Sequence, residues 1–373
     1  MNFKLQNIFG YIEGYYGKLL TWEYRFKIVK ELKNNYFNTY FYCPKEDLNH
    51  RFHWRERYSK NWIKEYRNFY YFSIRNKVNL ITGISPGLDY KYDDENDFNI
   101  LLDKINQLKV SENQYIALMF DDIPKEKIKN EYFNNIGFLQ SELANKIYKK
   151  LNGKIIFLPM IYSDELLNLC KFYFDQMSQI LNPNIKILYC GKKIVSDTNY
   201  NKEISLLKKY VKNDVIFWDN FYANDYCPKK IYICPWYGRS NNNPTLFNLT
   251  GHIEIDLMLI NIIKSSLSKN FSKKILGKFI PLEFFKVKSF FDFKEHFTQD
   301  IQYNYDETLY ALDKLLWEWK SPLSRELYPF LLSLKQDLQF VNNNISNKRI
   351  EKSYFQPLSN TLKNRNKEGE KNE

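Results

Sequence analysis

Six apolar residues in an unbroken row, Tyr115 to Phe120, run straight into two carboxylates, Asp121 and Asp122, and then into Ile123-Pro124. An apolar run of strand length with no alternation is buried on both faces, which places it in a parallel sheet covered by helices. Carboxylates at the carboxyl end of such a strand face the crevice in which these folds bind ligands. Adjacent side chains on a regular strand point to opposite faces, so the pair can serve one site only if the strand ends there and the backbone turns. Ile123-Pro124 is expected to supply that ending, because the residue before a proline is pushed out of the helical region and proline lacks an N–H. The plainer reading is a strand-to-loop turn in which Asp122 caps a helix beginning near Pro124.

Two like charges this close should split their pKa values, leaving one carboxyl easier to protonate than the other. One acid beside one carboxylate is the equipment for breaking a glycosidic bond. The rest of the chain decides between the site and the turn. At 373 residues it is long enough for one α/β barrel of about 250 residues plus a smaller module. The formal charge of +12 permits an anionic partner, but Lys and Asn are scattered throughout among 30 Tyr and 29 Phe. That is a chain-wide bias rather than a basic face, so no nucleic-acid partner is expected. Cys43, Cys170, Cys190, Cys227 and Cys234 form no CxxC pair, and the four histidines do not fall at paired metal-ligand spacing. Neither a disulfide framework, a metal nor a cofactor is expected. No apolar run reaches the roughly 18 residues of a membrane span. Met1-Asn2-Phe3-Lys4 leads almost at once into a strand rather than a leader segment, so a cytoplasmic location is expected.

Short apolar runs then recur with longer amphipathic segments between them. Strands are expected at Ile8–Glu13, Asn38–Cys43, Asn79–Ile84, Tyr115–Phe120, Lys154–Met160, Lys186–Cys190, Val215–Trp218 and Thr245–Asn248. Helices are expected at Trp22–Lys33, Asn61–Asn76, Phe98–Leu108, Lys125–Leu151 and Asp164–Ile180. This alternation predicts an α/β fold, a (β/α)8 TIM barrel over residues 1–270. A doubly wound open sheet is the alternative, but no GxGxxG follows an early strand. Five of the strands end in polar residues: Glu13, Lys45 to Asp47, Asp121-Asp122, Tyr162, and Asp219-Asn220 with Asn224-Asp225. An aromatic connector, Phe279–Phe297, leads to two helices, Asp306–Trp319 and Leu323–Asn342, split by Ser321-Pro322. Residues 271–358 are therefore expected to form a small C-terminal connector and helical module, and residues 359–373 are polar enough to be a disordered tail.

Several of these stretches resemble one family in the same order. They are Gly10-Tyr-Ile-Glu-Gly-Tyr-Tyr-Gly17, Asn38-Thr-Tyr-Phe-Tyr-Cys-Pro-Lys-Glu-Asp47 with Arg51 and Trp54-Arg-Glu56, Ile84-Ser-Pro-Gly-Leu-Asp89, Ala117-Leu-Met-Phe-Asp-Asp-Ile123 and Trp218-Asp-Asn-Phe-Tyr-Ala-Asn-Asp-Tyr226. Over roughly residues 7 to 265 they look like the family 84 glycoside hydrolases, the retaining β-N-acetylglucosaminidases that include O-GlcNAcase and enzymes named as bacterial hyaluronidases. The resemblance implies that Asp121 orients the 2-acetamido group of the substrate and that Asp122 is the general acid and then the general base. The nucleophile would be the acetamido oxygen itself, through an oxazoline, so that no protein nucleophile is needed. It also implies that Gly10, through its backbone, and Lys45 hold the O3 edge of the sugar, and that Asp225 and Asn248 hold O4 and O6. Tyr162, Cys190, Trp218 and Asn220 would surround the acetamido group.

The chain departs from the family pattern at two places. Tyr189-Cys190-Gly191-Lys192 stands where the family usually has Trp-Thr-Gly-Pro, so a thiol of about threonine's size would line the acetamido pocket and be open to thiol reagents. Leu19-Leu20 stands near the customary Pro-Trp. The expected activity is that of a retaining exo-β-N-acetylglucosaminidase acting on terminal β-linked N-acetylglucosamine of glycoproteins or glycans. A catalytically silent, lectin-like module that binds the same sugar is the alternative, with a basic nucleic-acid-binding protein further behind.

Overall fold

The eight expected strands form, and each lies on the beat that the sequence sets. They are β1 (Phe9–Glu13), β2 (Thr39–Tyr42), β3 (Asn79–Ile84), β4 (Ile116–Met119), β5 (Ile155–Leu158), β6 (Lys186–Tyr189), β7 (Val215–Asp219) and β8 (Thr245–Asn248). All pair in parallel with their sequence neighbours, and β8 returns to β1 with Phe9 opposite Thr245 and Ile12 opposite Asn248, closing the barrel. The computed structural model describes residues 8–196, 200–237, 243–267, 273–293 and 301–342. The proposed tail, residues 359–373, lies outside the described residues, as does part of the aromatic connector.

Two apolar layers explain why the strands carry no polar face. Ile12, Phe41, Ile81, Met119, Leu158, Leu188, Ile216 and Leu246 pack together with no helical partner and fill the barrel interior. Their neighbours in sequence, among them Leu118, Phe157 and Tyr189, pack outward against helix residues such as Leu101, Ile105, Ile147 and Met177. The period-two alternation of a strand sorts the residues into these layers. Continued one step beyond the strands, the inward set becomes Lys45, Asp121, Cys190, Asn220 and Asn248, so the barrel interior opens into the site at its carboxyl end.

Several helices start at side-chain caps. Thr21 caps α1 (Trp22–Asn34), Ser59 caps α2 (Lys60–Arg75) and Asp94 caps α3 (Glu95–Leu108), each accepting a hydrogen bond from a backbone N–H of the first turn. The long helix expected over Lys125–Leu151 is broken into a 3-10 turn at Lys125–Lys127, a short helix at Asn130–Phe133 and the helix Ile136–Lys150. Extended backbone at Ile128 and Lys129 separates the first two pieces. Likewise only a 3-10 turn at Asp164–Leu166 and a helix at Tyr173–Ile180 occupy the stretch expected to be one helix. In both cases apolar spacing marked the buried face but not the interruptions.

The chain divides into two compact units, Met1–Lys278 and Phe279–Glu373. In the second, the helix Tyr305–Asp313 continues as a π turn at Lys314–Glu318, and Ser321 caps the helix Pro322–Val341 in a reciprocal capping box with Ser324. Among the described residues no helix is long and apolar enough to cross a membrane.

One buried ion pair fastens the barrel's first turn. Glu13, at the end of β1, accepts from Arg25 Nε at 2.9 Å, Arg25 Nη2 at 2.8 Å and Tyr40 Oη at 2.6 Å, which joins β1, α1 and β2. Breaking such a pair leaves an uncompensated buried charge, whereas replacing both partners by apolar groups is far milder. Arg25→Ala is expected to destabilise the protein by about 3–5 kcal/mol and Arg25→Met with Glu13→Leu by much less, read from urea unfolding midpoints.

Candidate active site

The carboxyl ends of the strands surround a cavity of about 370 Å³. Lys45, Asp121, Asp122, Tyr162, Cys190, Trp218, Asn220, Asp225 and Asn248 all line it, gathered from six different strand ends. Gly10 does not. It lies within β1, four residues deeper, where an added Cβ would come within 2.1 Å of the Thr39 carbonyl oxygen, so its missing side chain serves strand packing. The glycine that lines the cavity is Gly14, whose Cβ would meet the Trp218 ring at 2.6 Å. Both glycines face the same side by alternation, but only the later one reaches the mouth.

The turn that aims both carboxylates into the cavity is at Asp122 itself, whose φ is +52°. Aspartate tolerates this left-handed conformation better than most residues, and Ile123-Pro124 merely follows it. Arg51 holds the turn by donating from Nη2 to the Asp122 carbonyl at 2.6 Å. The Asp122 side chain caps no helix: its Oδ1 accepts from Tyr162 Oη at 2.5 Å and its Oδ2 from Tyr16 Oη at 2.8 Å. The strand-to-loop turn of the plainer reading is present, but its helix cap is not.

Charge is arranged around one lysine. Lys45 Nζ forms a buried ion pair with Asp121 Oδ2 and lies 3.7 Å from Asp122 Oδ2. Burial pushes the Asp122 carboxyl up, but Lys45 and the Tyr162 and Tyr16 hydroxyls outweigh it and hold the group below the usual carboxylate range. These groups favour the ionised form of Asp122, against the repulsion that two adjacent carboxylates would otherwise exert. The ammonium between the two carboxylates removes that repulsion. Asp121 is 3% exposed, and its Oδ1 has no hydrogen-bond partner among the described residues.

The remaining polar groups are wired to one another. Asn220 Oδ1 accepts from Trp218 Nε1 at 2.8 Å and from Asn248 Nδ2 at 3.0 Å, and Asn220 Nδ2 donates to the Ile194 carbonyl at 2.8 Å. Its amide is fully used, so Asn220 orients Trp218 and Asn248, while the buried Oδ1 of Asn248 has no partner among the described residues. Asp225 accepts from the Tyr16 backbone N–H at 3.0 Å and so joins the loops after β7 and β1. Below the Asn248 segment, Asp256 accepts from the backbone N–H groups of Thr250 and Gly251 and from the hydroxyls of Thr250 and Tyr11, while burial pushes its carboxyl up to about 6. Sequence reasoning missed Tyr16 and Gly14, although both lie in the Gly10–Gly17 motif just beyond the end of β1. Among the described residues no cluster of three or more His, Cys, Asp or Glu could hold a metal ion.

This constellation has counterparts. The profile of the beta-N-acetylglucosaminidase (NAGidase) family matches residues 9–249. The chain belongs to that family. It is 31% identical over 238 residues to the protein O-GlcNAcase of Mus musculus and 30% identical over 241 residues to that of Rattus norvegicus. Each alignment covers 62% of this chain but 26% of the relative, so the chain spans about a quarter of the length of these proteins. An O-GlcNAc hydrolase mutant of Thermobaculum terrenum has the same fold, with a TM-score of 0.76 at 19% identity over 94% of this chain and 88% of that one. Both carboxylates and the whole cavity lining of this β-N-acetylglucosaminidase family member fall inside the matched residues.

The thiol in the cavity wall behaves unlike the expectation drawn from sequence. Cys190 is 2% exposed, and burial together with Asp121 and Asp122 pushes its thiol well above the ordinary range. Only the thiolate is a good nucleophile, so burial and the two carboxylates disfavour reaction of Cys190, a wall group about the size of threonine, with thiol reagents. Mapping of alkylated peptides by mass spectrometry should find the exposed Cys227 modified in the folded protein while Cys190 reacts only after unfolding.

Proposed function

We propose that the chain is a retaining exo-β-N-acetylglucosaminidase that removes terminal β-linked N-acetylglucosamine by substrate-assisted catalysis. One observation carries this reading: Asp121 Oδ1 is a buried acceptor with no partner among the described residues, beside a pocket walled by Tyr162, Cys190 and Trp218. An unsatisfied buried acceptor is costly, and an amide N–H whose methyl group fits an apolar wall is the donor that relieves it. The 2-acetamido group of N-acetylglucosamine has both parts.

With that group seated, its carbonyl oxygen attacks the anomeric carbon as the bond from that carbon to the leaving oxygen breaks. Asp121 takes up the positive charge that develops on the acetamido nitrogen. Asp122 gives its proton to the departing oxygen, then removes one from the water that opens the oxazoline, so configuration is retained. Lys45, Asp225, Asn248 and the backbone at Gly14 bind the sugar hydroxyls. The substrate is a glycoprotein of the O-GlcNAc type or a glycan; the names of the mouse and rat relatives support the former.

The substrate panel that tests this is an aryl β-N-acetylglucosaminide, its α-linked isomer and the aryl β-glucoside. Turnover of the first alone is expected, and turnover of the glucoside, which has no acetamido group, would remove the mechanism. Asp122→Asn should slow substrates with poor leaving groups by about 10²–10⁴-fold and activated aryl glycosides much less, because an activated group departs with little protonic help. Asp121→Asn should slow both kinds in steady-state assays, since it acts on formation of the nucleophile whatever leaves.

A further inference from the structure

The two tyrosines on Asp122 are not equivalent. Tyr162, on Oδ1, is 7% exposed and walled into the cavity, so that oxygen keeps its partner whatever binds. Tyr16, on Oδ2, is 44% exposed and stands at the mouth. Its backbone is pinned, because Tyr16 N donates to Asp225 and Gly17 N donates to Glu46 Oε1 at 2.8 Å. Its side chain is not enclosed and can rotate into solvent while the loop stays in place. By elimination Oδ2 is the oxygen that can present a proton to an incoming glycoside, and in this structure it accepts a hydrogen bond from the Tyr16 hydroxyl.

We propose that Tyr16 is a positioning residue that stands in for the leaving-group oxygen on Asp122 Oδ2 and must yield that place when the substrate binds. This rests on the reading of Asp122 as the general acid. It also accounts for an acid whose surroundings favour its ionised form. Facing Asp122 are the Lys45 ammonium at 3.7 Å, Arg51 on its carbonyl, the adjacent Asp121, the two tyrosine hydroxyls and the Cys190 thiol across the cavity. Of the groups that stabilise the anion, Lys45 and Tyr162 are buried and stay, whereas Tyr16 is the one at the mouth. A leaving-group oxygen that takes its place accepts a hydrogen bond instead of donating one, so the exchange favours the protonated carboxyl that the reaction uses.

The test compares wild type with Tyr16→Phe over a pH series of kcat/KM, using a β-N-acetylglucosaminide with a poor leaving group. The acid must be protonated to act, so kcat/KM falls as pH rises through the ionisation of Asp122 in the free enzyme. The Tyr16 hydroxyl stabilises the anion and so lowers the pH of that fall. Without it the basic limb should move to higher pH by about one unit, roughly a tenfold difference at a fixed pH above the limb. A side chain that only packs the loop would lower the whole profile and leave the limb in place; that result, or a limb displaced to lower pH, overturns the proposal. If Tyr16→Phe loses turnover altogether, infrared difference titration of the Asp122 carboxyl, with Asp122→Asn as the blank, reads the same shift without catalysis. A raised midpoint supports the proposal and an unchanged one refutes it. Should Asp122→Asn fail to discriminate between leaving groups, both the acid assignment and the role of Tyr16 fall. If it discriminates while the limb stays fixed, only the role of Tyr16 falls.

Discussion

The site depends on one backbone turn. Asp121 continues the inward side of β4, in step with Ala117 and Met119, and on a regular strand Asp122 would point into the helical layer. The left-handed conformation at Asp122, held by Arg51 on its carbonyl, brings the second carboxylate into the same cavity. A two-carboxylate mechanism on one strand end needs such a break. The cost of the unusual φ is set against a charge-assisted hydrogen bond from a residue of the β2–α2 segment.

Around this turn the protein arranges polar groups in two kinds. Some are saturated and serve to orient: Asn220 holds Trp218 and Asn248, Glu13 fastens Arg25 and Tyr40, and Asp256 gathers the loop after β8 onto Tyr11. Others are left incomplete at the cavity: Asp121 Oδ1 and Asn248 Oδ1 have no partner among the described residues. A fully connected network is rigid, and a buried acceptor without a donor is a demand for a ligand.

Several features of this arrangement were visible in the residues alone, and the reason is the same for each. The eight apolar runs, the polar strand endings and the Ser321-Pro322 break are local patterns, and alternation or capping chemistry ties them directly to local structure. Lys45 and Asp121 could be placed at strand ends from the residues alone, whereas Cys190 and Asn248 were assigned to the site through the family resemblance. Gly10 was misplaced because glycines four residues apart share a face, and only depth along the barrel separates them. The helix expected over Lys125–Leu151 was broken because apolar spacing reports burial and not the continuity of backbone hydrogen bonds.

The sequence by itself determined the barrel, the strand that carries the acid pair and the family, since all three rest on order and spacing along the chain. Only the tertiary structure decided the charge states and partners within the site. The Asp122 carboxyl held below its usual range, the lysine shared between two carboxylates, the Cys190 thiol pushed above its usual range and the tyrosine at the mouth all arise from groups far apart in sequence. Tyr16 and Asp122 are 106 residues apart and Lys45 and Asp121 are 76 apart. Electrostatic and hydrogen-bond energies depend on distance and burial in space, which no local pattern encodes.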